Sequence, residues 1–562
     1  MAILDLGKIK VTNKGAWNSS ASYEVDDFVQ HGKHTFIAKL GSTNEAPYNA
    51  SILNSTYWDW MAQGAEAGDW NAAMGAPEYI SHKPEVVDAL RVDKFPVQGA
   101  CYNYYRKFFV IMKDGTVRSW GDNGTYSLGD GAQNNQRDRP TTAAIPKKVT
   151  SISLCTYSGV AIDEDGDAWC WGYNGYGAFG LGHTTNVYFP TKIPMPSGMT
   201  KFIAADLSNS TGYQNGHIIY LLEDAIGKRY VWMCGYNNYG QLGVGNTTNK
   251  YTLQKVPTLD DLDVQEVRTE GGQYPHITSR CANGDVYIWG YNGYGQCGSG
   301  NTSHQYTPRK VQDDGIPGPV AKMWTSSHGS YGHSYMLLTD GRLYFCGRNN
   351  YGILGTGNTS DKNSWTQCGG DGASNVSDIK STGGNTTWAI ILKVDGTIRT
   401  VGYNGNGQLG VGHTTNQTTW QTPPANRTYP AGSVNCNSSA KKIFISECED
   451  SSGLCMFIRD VGEWDSKGHG KAFAFGYNGH GGLGIGHNTN GNFQSYWNSY
   501  YPNECMAPET VVDMRNVGNS SERTGYILTS DGQVLSCGYC GSGSHGRETN
   551  GENINTYGRI NL

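Results

Sequence analysis

The sequence predicts an all-β chain assembled from repeated four-stranded sheets, and three observations predict it. Glycine accounts for 77 of 562 residues, roughly twice the usual share, while charged residues make up 16%, well under the typical ~25%. Tyrosine (36) and tryptophan (15) are plentiful, which separates the chain from disordered sequences poor in aromatic side chains. A phrase of the type "WGYNGYGQCGSGNTS", Trp289 to Ser303, recurs along most of the chain and holds almost nothing that favours a helix.

Aligned on the glycine that follows a short aromatic run, the copies have anchors at Gly121, Gly172, Gly235, Gly290, Gly347, Gly402, Gly476 and Gly538. The intervals are 51, 63, 55, 57, 55, 74 and 62 residues, a period that marks a repeat architecture. Loops such as "GYNNYGQLGVGNTTN" at Gly235 and "GYNGNGQLGVGHTTN" at Gly402 follow the anchors. The first and last copies, "GDNGTYSLGDG" and "GYCGSGSHGRE", are looser, as terminal repeats tend to be.

Each unit reads as four strands. An apolar run such as "VAKMWTSS" or "VSDIKSTG" comes first. Two alternating runs follow, joined in six units by Asp-Gly or Asn-Gly: Asp114-Gly115, Asp165-Gly166, Asn283-Gly284, Asp340-Gly341, Asp395-Gly396 and Asp531-Gly532. Such pairs favour primed two-residue hairpin turns. The third and seventh units carry "EDAIGKRY" and "RDVGEWDSKGHGKA" instead, which predicts longer surface excursions there. The last run, as in "YTPRKV" or "YFPTKIP", contains proline and is predicted to be an outer edge. A lone four-stranded sheet leaves two apolar faces wet; a closed radial ring of sheets buries them all, which is a β-propeller. Eight four-stranded blades are expected, with seven plus an irregular segment as the alternative.

The hairpin "DG-x-V-x-x-WG" followed by "G-x-N-x-x-GQLG-x-G" resembles the repeats of the regulator of chromosome condensation, a propeller family, over residues 96–562. Members of that family include an exchange factor for a nuclear small GTPase, a chromatin binder and a protein inhibitor of an enzyme. The fold does not choose among such functions. Chromatin binding calls for a basic N-terminal tail, which this sequence lacks, and the residues of nucleotide exchange map onto no position here.

Residues 1–64 read as a leader and a small β module, joined by a linker over 65–95 to the propeller. The module resembles the carbohydrate-binding modules of chitinases and cellulases at Trp17, Tyr23, Asp27, Val29, Gly32, Phe36, Pro47 and Trp58. The resemblance implies sugar contact through exposed rings, with Trp58 and Trp60 as candidates. Preceded by "MAILDLGKIK", it also resembles the start of bacteriophage tail-associated proteins. No signal peptide and no apolar run of membrane-spanning length is present, so synthesis in a host cytoplasm and release in a virion tail are expected.

Net charge is −6 with no basic tail, which argues against a nucleic-acid partner. The 14 cysteines include one CxxC, Cys537 to Cys540, and Cys170, Cys234, Cys346 and Cys537 read as packed thiols rather than metal ligands. His183, His413 and His487 occupy equivalent blade positions, too far apart to share a metal, and read as turn residues. The sequence contains no GxSxG, HExxH or phosphate loop, so no catalytic, cofactor or metal site is expected. Tyrosine follows the anchor in six units, at Tyr173, Tyr236, Tyr291, Tyr403, Tyr477 and Tyr539. These form either a crown for glycan or receptor contact, or packing between blades. The long segments "AGSVNCNSSAKKIFISECEDSSGLC", "DVGEWDSKGHGK" and "SYWNSYYPNEC" are further candidates for recognition.

The expected function is a non-enzymatic bacteriophage tail component, a fibre or receptor-binding protein in several copies or as a homo-oligomer. Its partners would be other tail proteins and a host-surface glycan or protein, without membrane insertion. The alternatives are a carbohydrate-binding protein acting through the N-terminal module and an intracellular regulator of a small GTPase.

Overall fold

The computed structural model describes residues 107–423 apart from six short breaks, then stretches of strand and loop to residue 562; ahead of residue 107 it describes only short strands between Thr12 and Lys94. The chain divides into two compact units, Met1–Arg91 and Val92–Leu562. In the first, strands Thr12–Ala16, Asp27–His31, His34–Ala38 and Trp58–Gln63 form one sheet in that order. Trp58 pairs with Ala38 and Trp60 with Phe36 on its last ladder. Their side chains lie outside the described residues, as does Trp17.

The second unit is a propeller of eight blades, each with four antiparallel strands, a to d, in chain order. Blade 1 is Val92–Lys94, Lys107–Met112, Val117–Gly121 and Arg137–Thr142; blade 2 is Val149–Leu154, Ser158–Asp163, Ala168–Gly172 and Val187–Lys192. Blade 3 is Met199–Ser208, His217–Asp224, Arg229–Gly235 and Lys250–Lys255; blade 4 is Val264–Thr269, His276–Cys281, Val286–Gly290 and Gln305–Lys310. Blade 5 is Val320–His328, Tyr331–Leu338, Leu343–Gly347 and Lys362–Gln367; blade 6 is Val376–Ser381, Trp388–Lys393, Ile398–Gly402 and Gln417–Gln421. Blade 7 is Ala440–Ile445, Leu454–Asp460, Gly470–Tyr477 and Asn498–Glu504; blade 8 is Val511–Gly518, Arg523–Thr529, Val534–Gly538 and Ile554–Arg559. A single pairing, Gly470 with Val511, links the last two sheets. Every blade is contiguous in sequence, so no blade is completed by a strand from the other end of the ring.

The sheets seal one another through eight cores, one at each blade junction. Ile218, Tyr220 and Leu222 of blade 3 meet Val160, Ile162 and Phe179 of blade 2. The same arrangement repeats around the ring to blade 8, where Tyr526, Leu528 and Val534 meet Phe108, Val110 and Trp120 of blade 1. Strand d takes the wet edge: Arg137–Thr142 and Val187–Lys192 are mostly exposed or half-buried, and each contains a proline. Pro140 and Pro190 thus sit where a missing N–H costs no ladder bond.

The hairpins close differently from the sequence expectation. In blade 1 the N–H of Gly115 donates to Met112 O (2.9 Å), Met112 N–H to Thr116 O (2.8 Å), and Gly115 has φ +81°. That is a three-residue loop ending on a left-handed glycine, not a primed two-residue turn, because Asp114 keeps negative φ. The aspartate earns its place as an acceptor, taking the Thr116 N–H at 2.8 Å. "EDAIGKRY" also makes no excursion: Gly227, φ +84°, closes the same loop onto Asp224 O at 3.1 Å. The seventh connection, 461–469, lies outside the described residues.

All eight anchor glycines adopt φ between +98° and +112°. The reason is local. At Gly290 a Cβ would lie 2.7 Å from Pro275 O, the same carbonyl that accepts the next N–H, that of Tyr291, at 3.0 Å. Only glycine lets strand c end, reverse and keep that bond.

Candidate functional site

The two ends of the ring differ in chemistry. One end carries the hairpin turns; the other carries the a–b connections and the long c–d loops that start at the anchors. The c–d loops of blades 2, 3, 4 and 6 contain no Lys, Arg, Asp or Glu. The described ion pairs gather toward the turn end, for example Lys192–Asp167 (2.5 Å), Lys201–Glu223 (2.9 Å), Lys310–Asp285 (2.8 Å) and Arg342–Asp340 (2.6 Å). Arg137–Asp130 at the loop end is the exception. Several charges of the turn face are therefore neutralised by neighbours, while the c–d loops of blades 2, 3, 4 and 6 are built of tyrosine, amide and glycine.

In blades 1 to 7 a buried asparagine stands two residues after the anchor; the eighth copy has Cys540 there. Asn237 Oδ1 accepts the Leu242 N–H (2.9 Å) and its Nδ2 donates to Asn246 O (2.9 Å) and Thr248 O (3.1 Å). Asn174, Asn292, Asn349 and Asn404 make the same three bonds in their own loops. His183 and His413 are turn acceptors, each taking the N–H of the threonine two residues on at 3.2 Å; His487 lies outside the described residues.

The loops also stitch adjacent blades. Trp171 Nε1 donates to Ser127 O of the preceding blade (2.9 Å), and Trp289 Nε1 to Gln241 O (2.8 Å). Cys234 and Cys346 hold the equivalent position, their thiols pointing at Ala178 O (2.9 Å) and Gln296 O (3.1 Å). The thiol takes the place of the indole N–H there as a weak donor, whereas Val401 and Phe475 at the same position of blades 6 and 7 carry none. Burial pushes the thiols of Cys234 and Cys346 well up, so they are held protonated.

The tyrosines predicted from the sequence lie on this face, and Tyr236, Tyr291, Tyr403 and Tyr539 touch a ring of the preceding blade, whereas Tyr173 meets Tyr157 of its own blade. Tyr236 is buried, and Tyr173, Tyr291, Tyr403, Tyr477 and Tyr539 are half-buried. Tyr236 meets Tyr176 edge-on with centroids 5.5 Å apart, Tyr291 meets Tyr239 at 5.2 Å, Tyr403 meets Tyr351 at 5.1 Å, and Tyr539 meets His480 at 5.3 Å. A second ring four residues after the anchor thus clasps the first, a partnership hidden in sequence because it crosses from blade to blade. Around blades 3 to 5 the rings merge: Tyr274 lies 4.7 Å from Tyr291 and 5.0 Å from Tyr239, and Tyr294 lies 5.5 Å from Tyr331. Burial, helped at Tyr239 by a hydrogen bond to Tyr274, raises the phenol pKa values, so these hydroxyls stay protonated.

Two further features were not evident in the sequence reading. The outer strands place exposed rings at the rim, Tyr188, Phe189, Tyr251 and Tyr306. In blade 5 the position after the anchor holds Arg348, whose guanidinium sits 3.5 Å over the Tyr331 ring and 5.2 Å from that of Tyr294. The signal was "GRNNYG" among copies that read "GYNNYG". Among the described residues no group of three His, Cys, Asp or Glu is placed to hold a metal. The insertions 446–453, 461–469, 485–497 and 505–510 lie outside the described residues.

Comparison with known proteins agrees with this geometry. The regulator of chromosome condensation (RCC1) repeat matches residues 165–210, 230–269 and 283–337. The chain is 26% identical to the ultraviolet-B receptor UVR8 of Arabidopsis thaliana over 336 residues, 59% of this chain and 69% of that one. It is 27% identical to the human E3 ubiquitin-protein ligase HERC2 over 252 residues, 44% of this chain but 5% of the ligase. The crystal structure of human WBSCR16 superposes with a TM-score of 0.50 at 19% identity, covering 76% of this chain and 100% of that one. Residues 92–562 therefore form an eight-bladed β-propeller, with RCC1 repeats matched in its second to fifth blades.

Proposed function

We propose that the chain is a non-catalytic regulator that binds a protein partner on the loop face of its propeller. One observation carries this reading: the c–d loops of blades 2, 3, 4 and 6 are rich in tyrosine and amide side chains and hold no Lys, Arg, Asp or Glu, while ion pairs such as Lys201–Glu223, Lys310–Asp285 and Arg342–Asp340 gather on the opposite face. Half-buried tyrosines offer large contact area at small entropic cost, because their neighbours already fix their rotamers. The exposed rim rings Phe189, Tyr251 and Tyr306 extend that area outward. A receptor among the relatives favours a regulatory role of this kind, and the resemblance of the repeats keeps an intracellular small GTPase among the candidate partners. The tail-fibre expectation, read from the N-terminal resemblance, the missing signal peptide and the composition, gains no support from the repeat match or the relatives, which favour the regulator alternative.

The test is quantitative affinity isolation from the source cells with the full chain, a loop-face variant (Tyr239→Ala with Tyr294→Ala) and a turn-face variant (Lys228→Glu with Arg342→Glu). Proteins retained by the parent and the turn-face variant but lost at least tenfold by the loop-face variant support the reading. Equal retention by all three defeats it.

A further inference from the structure

We infer that Arg348, held between Tyr294 and Tyr331, is the anchor for a carboxylate on an acidic segment of the protein partner. The inference rests on the loop-face reading and adds the chemistry of the ligand.

The position one residue after the anchor is tyrosine in six repeats and aspartate in the first; in blade 5 alone it is arginine. Its guanidinium lies 3.5 Å over Tyr331 and 5.2 Å from Tyr294, rings that themselves lie 5.5 Å apart. The two rings fix the plane of the cation and screen it from water on their side, which strengthens any bond to an anion arriving from the open side. Several arginines elsewhere have carboxylate partners: Arg229 faces Glu223 (3.1 Å), Arg280 faces Glu266 (3.3 Å), and Arg515 faces Asp513 (3.0 Å), while Arg118 and Arg399 donate to Thr142 Oγ1 and Ile398 O. Arg348 faces none among the described residues, and its Nε finds no hydrogen-bond acceptor. Its backbone is well held, the N–H donating to Gly332 O at 3.0 Å. The carboxylate of its own loop, Asp361, is occupied by the Asn349 N–H at 2.8 Å.

The ligand follows from these surroundings. One guanidinium offers two parallel donors that match one carboxylate. A phosphate dianion would call for a second cation, and the c–d loops of blades 2, 3, 4 and 6 supply none. A neutral sugar would leave the cation unpaired under its contact surface, a loss the tyrosines alone would not incur. An Asp or Glu side chain, flanked by residues that lie on the tyrosines, fits both the charge and the apolar surround.

The test selects random 16-residue displayed peptides on the full chain, then measures synthetic versions against the parent and Arg348→Tyr. That substitution restores the residue found in six other repeats, so the fold should be retained, which an unchanged melting temperature verifies. The expected result is a shared Asp or Glu in the selected peptides. Its change to Asn or Gln should weaken binding at least tenfold, as should Arg348→Tyr, and the two changes together should cost little more than either. Binders with no shared carboxylate, indifference to Arg348→Tyr, tighter binding of a phosphoserine replacement, self-association through this site, or failure to select any loop-face binder would each overturn the inference. Peptides that compete at Tyr239 yet ignore Arg348 would leave the loop face standing; peptides that map to the turn face would remove both.

Discussion

Tyr526 of blade 8 stacks on Phe108 of blade 1, with ring centroids 3.7 Å apart and planes 12° from parallel. Because each blade is contiguous, this contact and its neighbours hold the ring shut without help from a shared sheet. Gly546 marks the same seam: a Cβ there would meet Trp120 Nε1 at 2.8 Å. Tyr526→Ala is expected to cost ~3–5 kcal/mol, the usual range for removing a buried aromatic ring. Urea denaturation measures the loss, and hydrogen exchange should show blades 1 and 8 opening ahead of blades 3 to 5. Uniform exchange around the ring in that variant would contradict closure by this seam.

The loop asparagines give a second prediction. Asn237→Ala deletes three bonds to backbone groups in a buried loop. Each stranded buried group costs about 1–3 kcal/mol, so a loss of about 3 kcal/mol or more is expected. Asn237→Asp keeps the acceptor and loses both donors, so it should also destabilise the fold. A Lys228→Ala control on the opposite face should stay within about 0.5 kcal/mol.

A third concerns pH. His217, His276 and His333 are buried, and each Nε2 bonds a hydroxyl of the next blade: Thr269 (3.1 Å), Ser334 (2.8 Å) and Ser381 (2.8 Å). Burial lowers each pKa from 6.5 to about 3. Above pH 6.5 the rings are neutral in folded and unfolded chain alike, and stability is unaffected. Between pH 6.5 and 3 the unfolded chain binds protons that the folded chain refuses, so stability falls with pH, by up to ~1.4 kcal/mol per unit for each histidine. Urea titrations at pH 7 and pH 5 should show this drop, and a variant with all three changed to Gln should show a shallower one. An equal slope in that variant would refute the assignment.

The thiols give a fourth. Nine cysteines, from Cys155 to Cys537, are free and buried in the described residues. Burial pushes Cys281 up to about 11 and Cys455 up to about 12, far from the thiolate that attacks a thiol reagent. Of the 14 cysteines, no more than five should react with an aromatic disulfide reagent in the native protein, and all 14 should react in guanidinium.

Most of the architecture was legible because the repeat writes local chemistry in every copy. Each anchor glycine and each hairpin glycine closes a turn within its own blade, although Gly115, Gly166, Gly341 and Gly396 also accept an N–H from the next one. The contacts that the reading missed run between blades. Trp171 reaches a carbonyl 44 residues back, Cys234 one 56 residues back, and the partner of Tyr236 is Tyr176. Spacing within one repeat cannot show such pairs until the ring is closed. Arg348 was passed over for a related reason: a reading that looks for the repeated residue discounts the copy that departs from it.

Site-specific photo-crosslinking in the source cells tests the central claim most directly, with a benzophenone side chain placed at Tyr239 or Tyr294 on the loop face and at Lys228 or Arg342 on the turn face. The account predicts one discrete protein adduct from the loop-face positions, abolished by Arg348→Tyr, and none from the turn face. Adducts confined to the turn face, or absent from both, would contradict it.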